Sequence, residues 1–218
     1  MNVIIVFAKY PEKGFVKTRI AKDLGNEFAL DLYNNFLKDI LKTCEAVESD
    51  ILIMLYSETG NKSRVHLLKG YNCYNQEGAD LGERMYNSFY RAFYFGYEKC
   101  ILIGSDIPDM PAEYIKESLK ALVTNDIVLG PTEDGGYCLI GLKKESADPE
   151  LFRNIKWSTG SVLNETVNRI KKKEMTMHLL SKMNDIDEVE DLKRFFKKHS
   201  GESNILFTMK FLSQNKIF

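Results

Sequence analysis

The stretch that decides the fold is KCILIGSDIPDMP, residues 99–111. Residues 100–103 form a short apolar run, which predicts a strand buried on both faces, as in parallel sheets. The run ends at a glycine, and the carboxylate of Asp106 follows two residues later. Because open α/β sheets bind ligands beyond the carboxyl ends of their strands, Asp106 is a candidate site residue. The alternative is that Asp106 or Asp109 caps the helix predicted over residues 112–123.

The composition is that of an ordinary globular protein with no overall charge excess. The chain has 218 residues, with 30 lysines and arginines against 31 acidic residues and a formal net charge of −1. This balance gives no basic field that favours nucleic acid or an anionic membrane as a partner. No apolar run approaches membrane-spanning length and no targeting segment is evident, so we expect a cytoplasmic protein. The four widely spaced cysteines favour free thiols over a disulfide framework or a zinc site.

Strand and helix patterns alternate along the chain. Strands are predicted over residues 2–8, 50–56, 100–103, 126–130, 135–142 and 175–179, and helices over 28–47, 61–68, 112–123, 158–173 and 187–199. A further helix follows the polar loop at residues 76–84, and residues 9–23 read as a charged loop. Such alternation predicts an α/β fold with a mostly parallel sheet covered on both faces. We expect one domain over residues 1–200, followed by a helical extension over 201–218 that packs on the surface or contacts a partner.

The loop after the first strand is rich in positive charge. Its sequence, KYPEKGFVKTR at residues 9–19, carries four cations and a glycine that allows close backbone approach. In a doubly wound sheet this loop lies beside the ligand crevice, so Lys17 and Arg19 are candidates for binding a polyphosphate. The loop does not match the GxxxxGK[ST] phosphate-binding motif. The alternative is a solvated charged loop without a ligand.

Two further stretches carry candidate groups. In QEGADLGERM, residues 76–85, Asp80 has the spacing of a helix cap with Glu83, whereas Arg84 on the first helical turn has no such structural explanation. In GPTEDGGY, residues 130–137, the glycines predict a hairpin turn, and Asp134 is a candidate base or metal ligand within it. Trp157, the single tryptophan, either stacks on a ligand or packs in the core, and Ser158 or Thr159 is a candidate helix cap.

Four blocks occur in a recognisable order: FAKYPEKGFVKTRIA, GADLGERM, ILIGSDIPDMP and LGPTEDGGYCLIGL. Together they resemble a family of uncharacterised, glycosyltransferase-A-like proteins of bacteria and archaea, within the nucleotide-diphospho-sugar transferase superfamily. The resemblance covers roughly residues 2–173. It implies a three-layer α/β/α fold and metal-dependent glycosyl transfer from a nucleoside diphosphate sugar to a small-molecule acceptor. One alternative is a nucleotidyltransferase with a nucleoside triphosphate donor and pyrophosphate as product; another is a nucleotide-binding protein without turnover.

The resemblance also implies roles for individual residues. Asp106 resembles the last aspartate of the DxD motif, which holds Mg²⁺ or Mn²⁺ on the nucleotide diphosphate, although Gly104 stands in place of the first aspartate. A single-carboxylate site suits Mg²⁺, which takes its other ligands from water and phosphates. Lys17 and Arg19 resemble the basic residues of the first nucleotide-binding loop.

The other two blocks extend the implied site. Asp80 and Arg84 match the block that lies near the base or ribose of the nucleotide. Asp134 matches the block near the sugar or acceptor, where it serves as a base or as a second metal ligand. The resemblance therefore implies six site residues, spread over four loops of the chain.

Overall fold

The structure is a computed structural model that describes residues 1–60, 65–201 and 206–218. Within these residues the strands are β1 (Asn2–Lys9), β2 (Asp50–Tyr56), β3 (Asn72–Asn75), β4 (Lys99–Gly104), β5 (Ile127–Pro131), β6 (Tyr137–Lys143) and β7 (Met177–Leu179). The α-helices are α1 (Thr18–Leu24), α2 (Asn26–Glu45), α3 (Leu81–Tyr94), α4 (Ala112–Ala121), α5 (Val162–Lys172), α6 (Val189–His199) and α7 (Phe207–Asn215).

The strands form one sheet in the order β3-β2-β1-β4-β6-β5-β7. Among these described strands β6 alone runs antiparallel to its neighbours, and every other neighbouring pair is parallel. The chain first adds β2 and β3 on one side of β1 and then crosses over to place β4 on the other side. This reversal opens a crevice between the carboxyl ends of β1 and β4, which is where open α/β sheets bind ligands.

Two apolar clusters fill the space between the sheet and its helices. Alternate residues of β1 point to opposite faces, so Ile4 and Val6 pack with α2 and α4, while Val3 and Ile5 pack with α3 and α5. A strand buried on both faces has no polar alternation, which is why β1 and β4 appear in the sequence as continuous apolar runs. The predicted three-layer α/β/α architecture with a mostly parallel sheet is confirmed.

A third apolar cluster joins four helices beside the sheet. It brings Ile20 of α1, Phe36 of α2 and Met209 of α7 together with Ile186, which precedes α6. The cluster therefore fixes the loop before α6 relative to the start of α1. The division of the chain into a domain of residues 1–200 and an extension of residues 201–218 stays a prediction.

The structure departs from the sequence predictions at α1 and at the start of α5. The loop predicted over residues 9–23 is wrong from Thr18 onward, because α1 begins there; Ile20 is its single buried residue, too few for a clear apolar period. Helix α5 begins at Val162 rather than at residue 158, since Ser158 adopts a positive φ of 60° that does not continue a helix. Neither Ser158 nor its neighbour Thr159 is therefore the cap of that helix.

Other predictions concern short or chemically simple features. The helix predicted over residues 61–68 falls partly on residues 61–64, which lie outside the described residues, and His66–Leu68 form a single 3₁₀ turn. All four cysteines are free, and Cys44 and Cys100 are fully buried as small apolar residues. None of the helices in the described part of the chain combines the length and the apolar character needed to cross a bilayer.

The amino terminus of α7 is capped by a carboxylate from another helix. Asp39 of α2, 1% exposed, accepts hydrogen bonds from the backbone N–H groups of Phe207 at 2.7 Å and Thr208 at 2.9 Å. Replacing Asp39 by alanine is expected to lower the free energy of unfolding by about 1–2 kcal/mol, because both N–H groups lose their acceptor. Urea unfolding measures the loss, and Asp31→Ala on an exposed position of the same helix is expected to cost less than about 0.5 kcal/mol. Equal losses in the two variants would contradict the capping role.

Candidate functional site

A pocket of about 540 Å³ opens at the crevice between β1 and β4. Four of the six predicted site residues line it: Lys17, Arg19, Arg84 and Asp106. Asp80 and Asp134 do not line this pocket. The fold thus brings residues from the first loop, the start of α3 and the end of β4 to one place, as the topology of the sheet predicts.

An ammonium group held between two carboxylates forms the centre of the site. The Nζ atom of Lys17 lies 2.6 Å from Oδ1 of Asp106 and 3.2 Å from Oδ1 of Asp187. It also donates to the backbone oxygen of Ile186 at 2.6 Å. An ammonium has three N–H donors, so all three are engaged. A direct contact between Lys17 and a phosphate therefore requires the exchange of one of these bonds, and in this conformation Lys17 contributes its charge.

The burial of the three groups is unequal. The side chain of Lys17 is 5% exposed, whereas those of Asp106 and Asp187 are 48% and 45% exposed. Burial alone would lower the pKa of Lys17, but the charges and hydrogen bonds of Asp106 and Asp187 outweigh it and raise the pKa above the ordinary 10.5. The ring of Phe36 lies 5.4 Å from the ammonium, on its inner side. Lys17 is thus a permanent buried cation, and both carboxylates keep exposed surface at the pocket.

Backbone hydrogen bonds join the two loops that carry these carboxylates. The buried Ile186 donates its N–H to the backbone oxygen of Asp106 at 3.0 Å. The side chain of Asp191, in the first turn of α6, accepts from the N–H groups of Asp187 at 3.0 Å and Glu188 at 2.8 Å. The segment before α6 is therefore held at both ends, which fixes Asp187 beside Asp106.

Acidic side chains continue from this centre toward the hairpin of β5 and β6. The predicted hairpin is confirmed, and Asp134 holds its turn by accepting from the hydroxyl of Thr132 and from the N–H of Gly136. Asp185 is near enough to carboxylates of both the turn and the pocket to interact with their charges. Burial, and the nearby charges of Asp187, Asp134 and Asp106, raise the pKa of Asp185 to about 6.

Arg84 enters the pocket from the first turn of α3. Its Cζ atom lies 3.9 Å from the centroid of the Tyr56 ring. The Nε atom is buried without a hydrogen-bond partner, and no carboxylate of the described residues pairs with this guanidinium. Arg19, in contrast, is 64% exposed and lies 3.6 Å from Glu188 and 3.9 Å from Asp187. A guanidinium with unused donors inside a pocket is suited to bind a phosphate or carboxylate of a ligand.

Asp80 acts as a helix cap. Its Oδ1 accepts from the N–H of Glu83 at 2.8 Å, and the side chain of Glu83 accepts from the N–H of Ala79 at 2.9 Å. The predicted capping arrangement at the start of α3 is therefore confirmed. Asp80 does not line the pocket, and contact with a nucleotide stays a prediction for it.

The alternative in which Asp106 or Asp109 caps α4 is wrong. The residue at the cap of α4 is Pro111, and no side chain accepts a hydrogen bond there. Asp109 instead lies 2.6 Å from Nζ of Lys198 and 3.0 Å from Nε2 of His199, at the end of α6. The two aspartates of this loop thus have separate tasks, one at the pocket and one in docking α6.

Trp157 belongs to the core. It packs in the apolar cluster of α3 and α5, with its ring edge-on to Tyr137 at a centroid distance of 6.4 Å. A Cβ atom on Gly82 would lie 2.8 Å from the Trp157 ring, so a glycine is needed where α3 starts against it. Of the two alternatives for Trp157, the core packing is therefore the correct one.

The pocket also contains polar residues that the sequence analysis did not single out, among them Tyr33, Gln76 and Asp187. The side-chain amide of Gln76 donates to the backbone oxygens of Ala8 at 3.0 Å and Met54 at 2.9 Å, which leaves its carbonyl oxygen as an acceptor. Asp187 lies just before α6, where an acidic residue is already explained by its favourable interaction with the amino terminus of a helix. The available signal is the DID pattern at residues 185–187, an apolar residue between two carboxylates just ahead of an amphipathic helix.

The divalent cation implied by the resemblance fits this donor set in part. Asp106 and Asp187 reach the same ammonium from separate loops and keep exposed oxygens, the ligand type that Mg²⁺ prefers. In the described part of the chain, no group of three or more His, Cys, Asp or Glu side chains is arranged to hold a metal ion. A Mg²⁺ ion at these two carboxylates would therefore take its other ligands from water and substrate phosphates, as it commonly does in proteins.

Comparison with known proteins gives a family match over the middle of the chain. A family model described as "Uncharacterized protein conserved in bacteria (DUF2064)" matches residues 40–159, more than half of the sequence. The matched range includes Arg84, Asp106 and Asp134, whereas Lys17 and Asp187 lie outside it. The match therefore contains the end of β4 on which the pocket is built.

Solved structures agree with the fold. A candidate nucleotide-diphospho-sugar transferase from Desulfovibrio desulfuricans G20 superposes with a TM-score of 0.92 and 34% sequence identity, covering 99% of this chain and 95% of that one. The 4-diphosphocytidyl-2C-methyl-D-erythritol synthase of Anaerococcus prevotii superposes with a TM-score of 0.56 and 13% identity, covering 88% of this chain and 96% of that one, and shows similarity of fold alone. The predicted nucleotide-diphospho-sugar transferase fold is confirmed.

Curated relatives are similar over most of their length. The 2-phospho-L-lactate guanylyltransferase of Methanocaldococcus sp. (strain FS406-22) is 26% identical over 189 residues, which span 83% of this chain and 76% of the relative. The enzyme of the same name from Methanocaldococcus jannaschii is also 26% identical, over 77% of its length. These alignments extend beyond the family match.

Proposed function

This chain belongs to the DUF2064 family, and from that premise we propose that it is a nucleotidyltransferase. It would move a nucleoside monophosphate from a nucleoside triphosphate to a small phosphorylated acceptor and release pyrophosphate. The named relatives are transferases, and the curated ones are guanylyltransferases. They support nucleotidyl transfer, the alternative of the sequence analysis, better than its first expectation of glycosyl transfer.

The observation that carries the proposal is the charge arrangement of the pocket. Asp106 and Asp187, both about half exposed, flank the buried cation of Lys17, while Arg19 and Arg84 add positive charge at the rim and wall. Arg19 suits the phosphates of a triphosphate, because a guanidinium group binds phosphate oxygens in a fork, whereas Arg84 is left for the base. A Mg²⁺ or Mn²⁺ ion at the two carboxylates would supply electrostatic stabilisation of the charge that builds on the departing pyrophosphate.

The chemistry needs no strong base from the protein. An oxygen of the acceptor phosphate attacks the α-phosphorus of the donor; the bond to the bridging oxygen of the β-phosphate breaks, and its electron pair leaves with pyrophosphate. A phosphate monoester is already largely ionised at neutral pH, since its second pKa is about 6. The expected role of Asp134 as a base is therefore unnecessary here, and we propose that Asp134 acts by shaping the turn it holds.

We propose that Arg84 and Gln76, which both line the pocket, bind a guanine base. Guanine presents two acceptors, N7 and O6, together with N–H donors on another edge. The free guanidinium donors of Arg84 and the acceptor oxygen of Gln76 complement that pattern. We therefore propose GTP as the first donor to test, in agreement with the activity named for the curated relatives.

The experiment that tests the function compares two products. The protein is incubated with each of the four nucleoside triphosphates, Mg²⁺ or Mn²⁺, and a panel of phosphorylated small acids, and pyrophosphate is measured by a coupled assay. Nucleotide sugars are assayed in parallel for release of nucleoside diphosphate. We expect pyrophosphate release with GTP. Nucleoside diphosphate release without pyrophosphate would instead establish glycosyl transfer, and formation of neither product from any nucleotide would overturn both.

Arg84 gives a prediction with a matched control. Arg84→Leu is expected to weaken GTP binding by about 10- to 100-fold, because charge-assisted hydrogen bonds contribute about 1.5–3 kcal/mol each. Arg91→Leu is the control: Arg91 lies on the same helix over Tyr74 at 5.3 Å, but pairs with Glu77 and does not line this pocket. Isothermal titration calorimetry should give an affinity within about two-fold of wild type for this control. Equal affinities of the two variants would remove Arg84 from the site.

A further inference from the structure

A buried tyrosine hydroxyl lies at the point where the sheet reverses its strand order. The side chain of Tyr33, in α2, is 2% exposed and forms part of the pocket lining. Its hydroxyl accepts from the backbone N–H of Lys9 at 2.8 Å. It also lies 3.1 Å from the hydroxyl of Ser105 and 3.3 Å from the backbone oxygen of Lys9. One phenol oxygen therefore bridges the end of β1 and the residue that follows β4.

This bridge stands where the strand pairing ends. The last paired residues of β1 and β4 are Phe7 and Gly104, so the next residues on the two strands have no ladder bond between them. Tyr33 supplies that missing connection through a side chain. Because Asp106 is the next residue after Ser105, the phenol sets the position of the backbone that carries the carboxylate of the site.

The hydrogen atoms at this bridge can be counted. A phenol can donate one hydrogen bond and accept others. The oxygen of Tyr33 accepts from the N–H of Lys9, and its proton can go either to the oxygen of Lys9 or to the hydroxyl of Ser105. When that proton goes to the oxygen of Lys9, Ser105 donates to Tyr33. When it goes to Ser105, the proton of Ser105 becomes free for another acceptor. Ser105 is 4% exposed and lines the pocket, so its hydroxyl is within reach of a ligand that enters there.

We propose that Tyr33 is a positioning residue: by donating to Ser105, its hydroxyl turns the Ser105 hydroxyl into a donor for a phosphate oxygen of the bound nucleotide. This inference rests on the proposed function, because it takes a nucleoside triphosphate as the occupant of the pocket. The bridge between β1 and β4 thus links the two strand ends and, in the complex, becomes a directed chain of two hydroxyls. Nucleotide affinity, and not only stability, depends on the phenol.

The control is another buried tyrosine with a similar bond. Tyr114 of α4 is 5% exposed and donates to the backbone oxygen of Ser181 at 2.7 Å. It does not line the pocket. Tyr33→Phe leaves the N–H of Lys9 without this acceptor and Tyr114→Phe leaves the oxygen of Ser181 without this donor, so both are expected to lower the melting temperature. Only the first is expected to change nucleotide binding.

The test measures the dissociation constant of GTP with Mg²⁺ by calorimetry for wild type, Tyr33→Phe, Ser105→Ala, the double variant and Tyr114→Phe. We expect each of the first two variants to bind about three- to ten-fold more weakly, as expected for one neutral hydrogen bond. The double variant is expected to bind no more weakly than the poorer single variant, since both changes break one chain. Tyr114→Phe should stay within about two-fold of wild type.

Two outcomes would overturn the inference while wild type still binds GTP. One is that Tyr33→Phe binds as Tyr114→Phe does, which leaves the phenol a structural role alone. The other is that the losses of Tyr33→Phe and Ser105→Ala add in the double variant, which shows that the two hydroxyls act independently. Failure of wild type itself to bind GTP would instead overturn the proposed function, and this inference with it.

Discussion

Replacing Asp106 by asparagine is expected to lower kcat/KM for pyrophosphate release by about 10²- to 10³-fold, the usual cost of removing one preorganised electrostatic group. The substitution keeps the shape of the side chain and its hydrogen bond to Lys17 but removes the negative charge, which is half exposed at the pocket. Steady-state kinetics at saturating Mg²⁺ measure the loss. Residual activity above about one tenth of wild type would contradict the assignment of Asp106 to the reaction.

The same loop provides a control with the opposite expected result. Asp109 is 11% exposed and pairs with Lys198 and His199 away from the pocket. Asp109→Asn is expected to lower the free energy of unfolding by about 1–3 kcal/mol, because a largely buried carboxylate loses its charge-assisted contacts with Lys198 and His199, while kcat/KM stays within about two-fold. Together the two variants separate a change in chemistry from a change in stability.

Replacing Lys17 by methionine is expected to lower the free energy of unfolding by about 3 kcal/mol at neutral pH. Methionine retains much of the apolar stem beside Phe36, but Asp106 and Asp187 lose the cation between them and Ile186 loses its hydrogen bond. Urea unfolding measures the loss. Since the two carboxylates then lack a counter-ion, Mn²⁺ is expected to raise the melting temperature of this variant more than that of wild type.

The pH dependence of this stabilisation follows from the pKa of Lys17. The folded protein raises that pKa above 10.5, so the contribution of Lys17 is fully present below pH 10.5 and is lost as the pH rises through the folded value. The difference between wild type and Lys17→Met should therefore be constant near neutral pH and shrink in strong alkali. Lys13→Met is the control, because Lys13 pairs with Glu27 at the surface and should change stability by less than about 0.5 kcal/mol. An equal loss at Lys13 would contradict the special role of the buried ammonium.

Much of the fold follows from local sequence. The runs at β1, β2 and β4 are predicted because strands buried on both faces must be apolar throughout. The capping pair Asp80 and Glu83 is predicted because the cap needs only residues three positions apart. Helix α1 is not predicted, since it buries the single residue Ile20 against distant helices and has little pattern of its own.

The sequence places some residues at the pocket, although their roles in binding or catalysis stay predictions. Asp106 is found because it follows a central strand, and Arg84 because no local structural role explains it. Asp187 is missed because its approach to Asp106 depends on the packing of Ile186 and on the bond from Ile186 to Asp106, neither of which leaves a local sequence pattern. Tyr33 is missed for the same reason, since a tyrosine on the apolar face of α2 reads as core.

The sequence by itself determined the class of fold, the confirmed strands, the capping of α3 and the edge of the sheet where Asp106 lies. These features depend on the spacing of apolar residues and on interactions between residues a few positions apart, and both can be seen in the sequence. Only the tertiary structure decided that Lys17 lies saturated between Asp106 and Asp187 rather than open to the pocket, and that Asp134 holds a turn. Such partners come from loops far apart in the chain, so they come into contact only when the sheet and the third apolar cluster have formed.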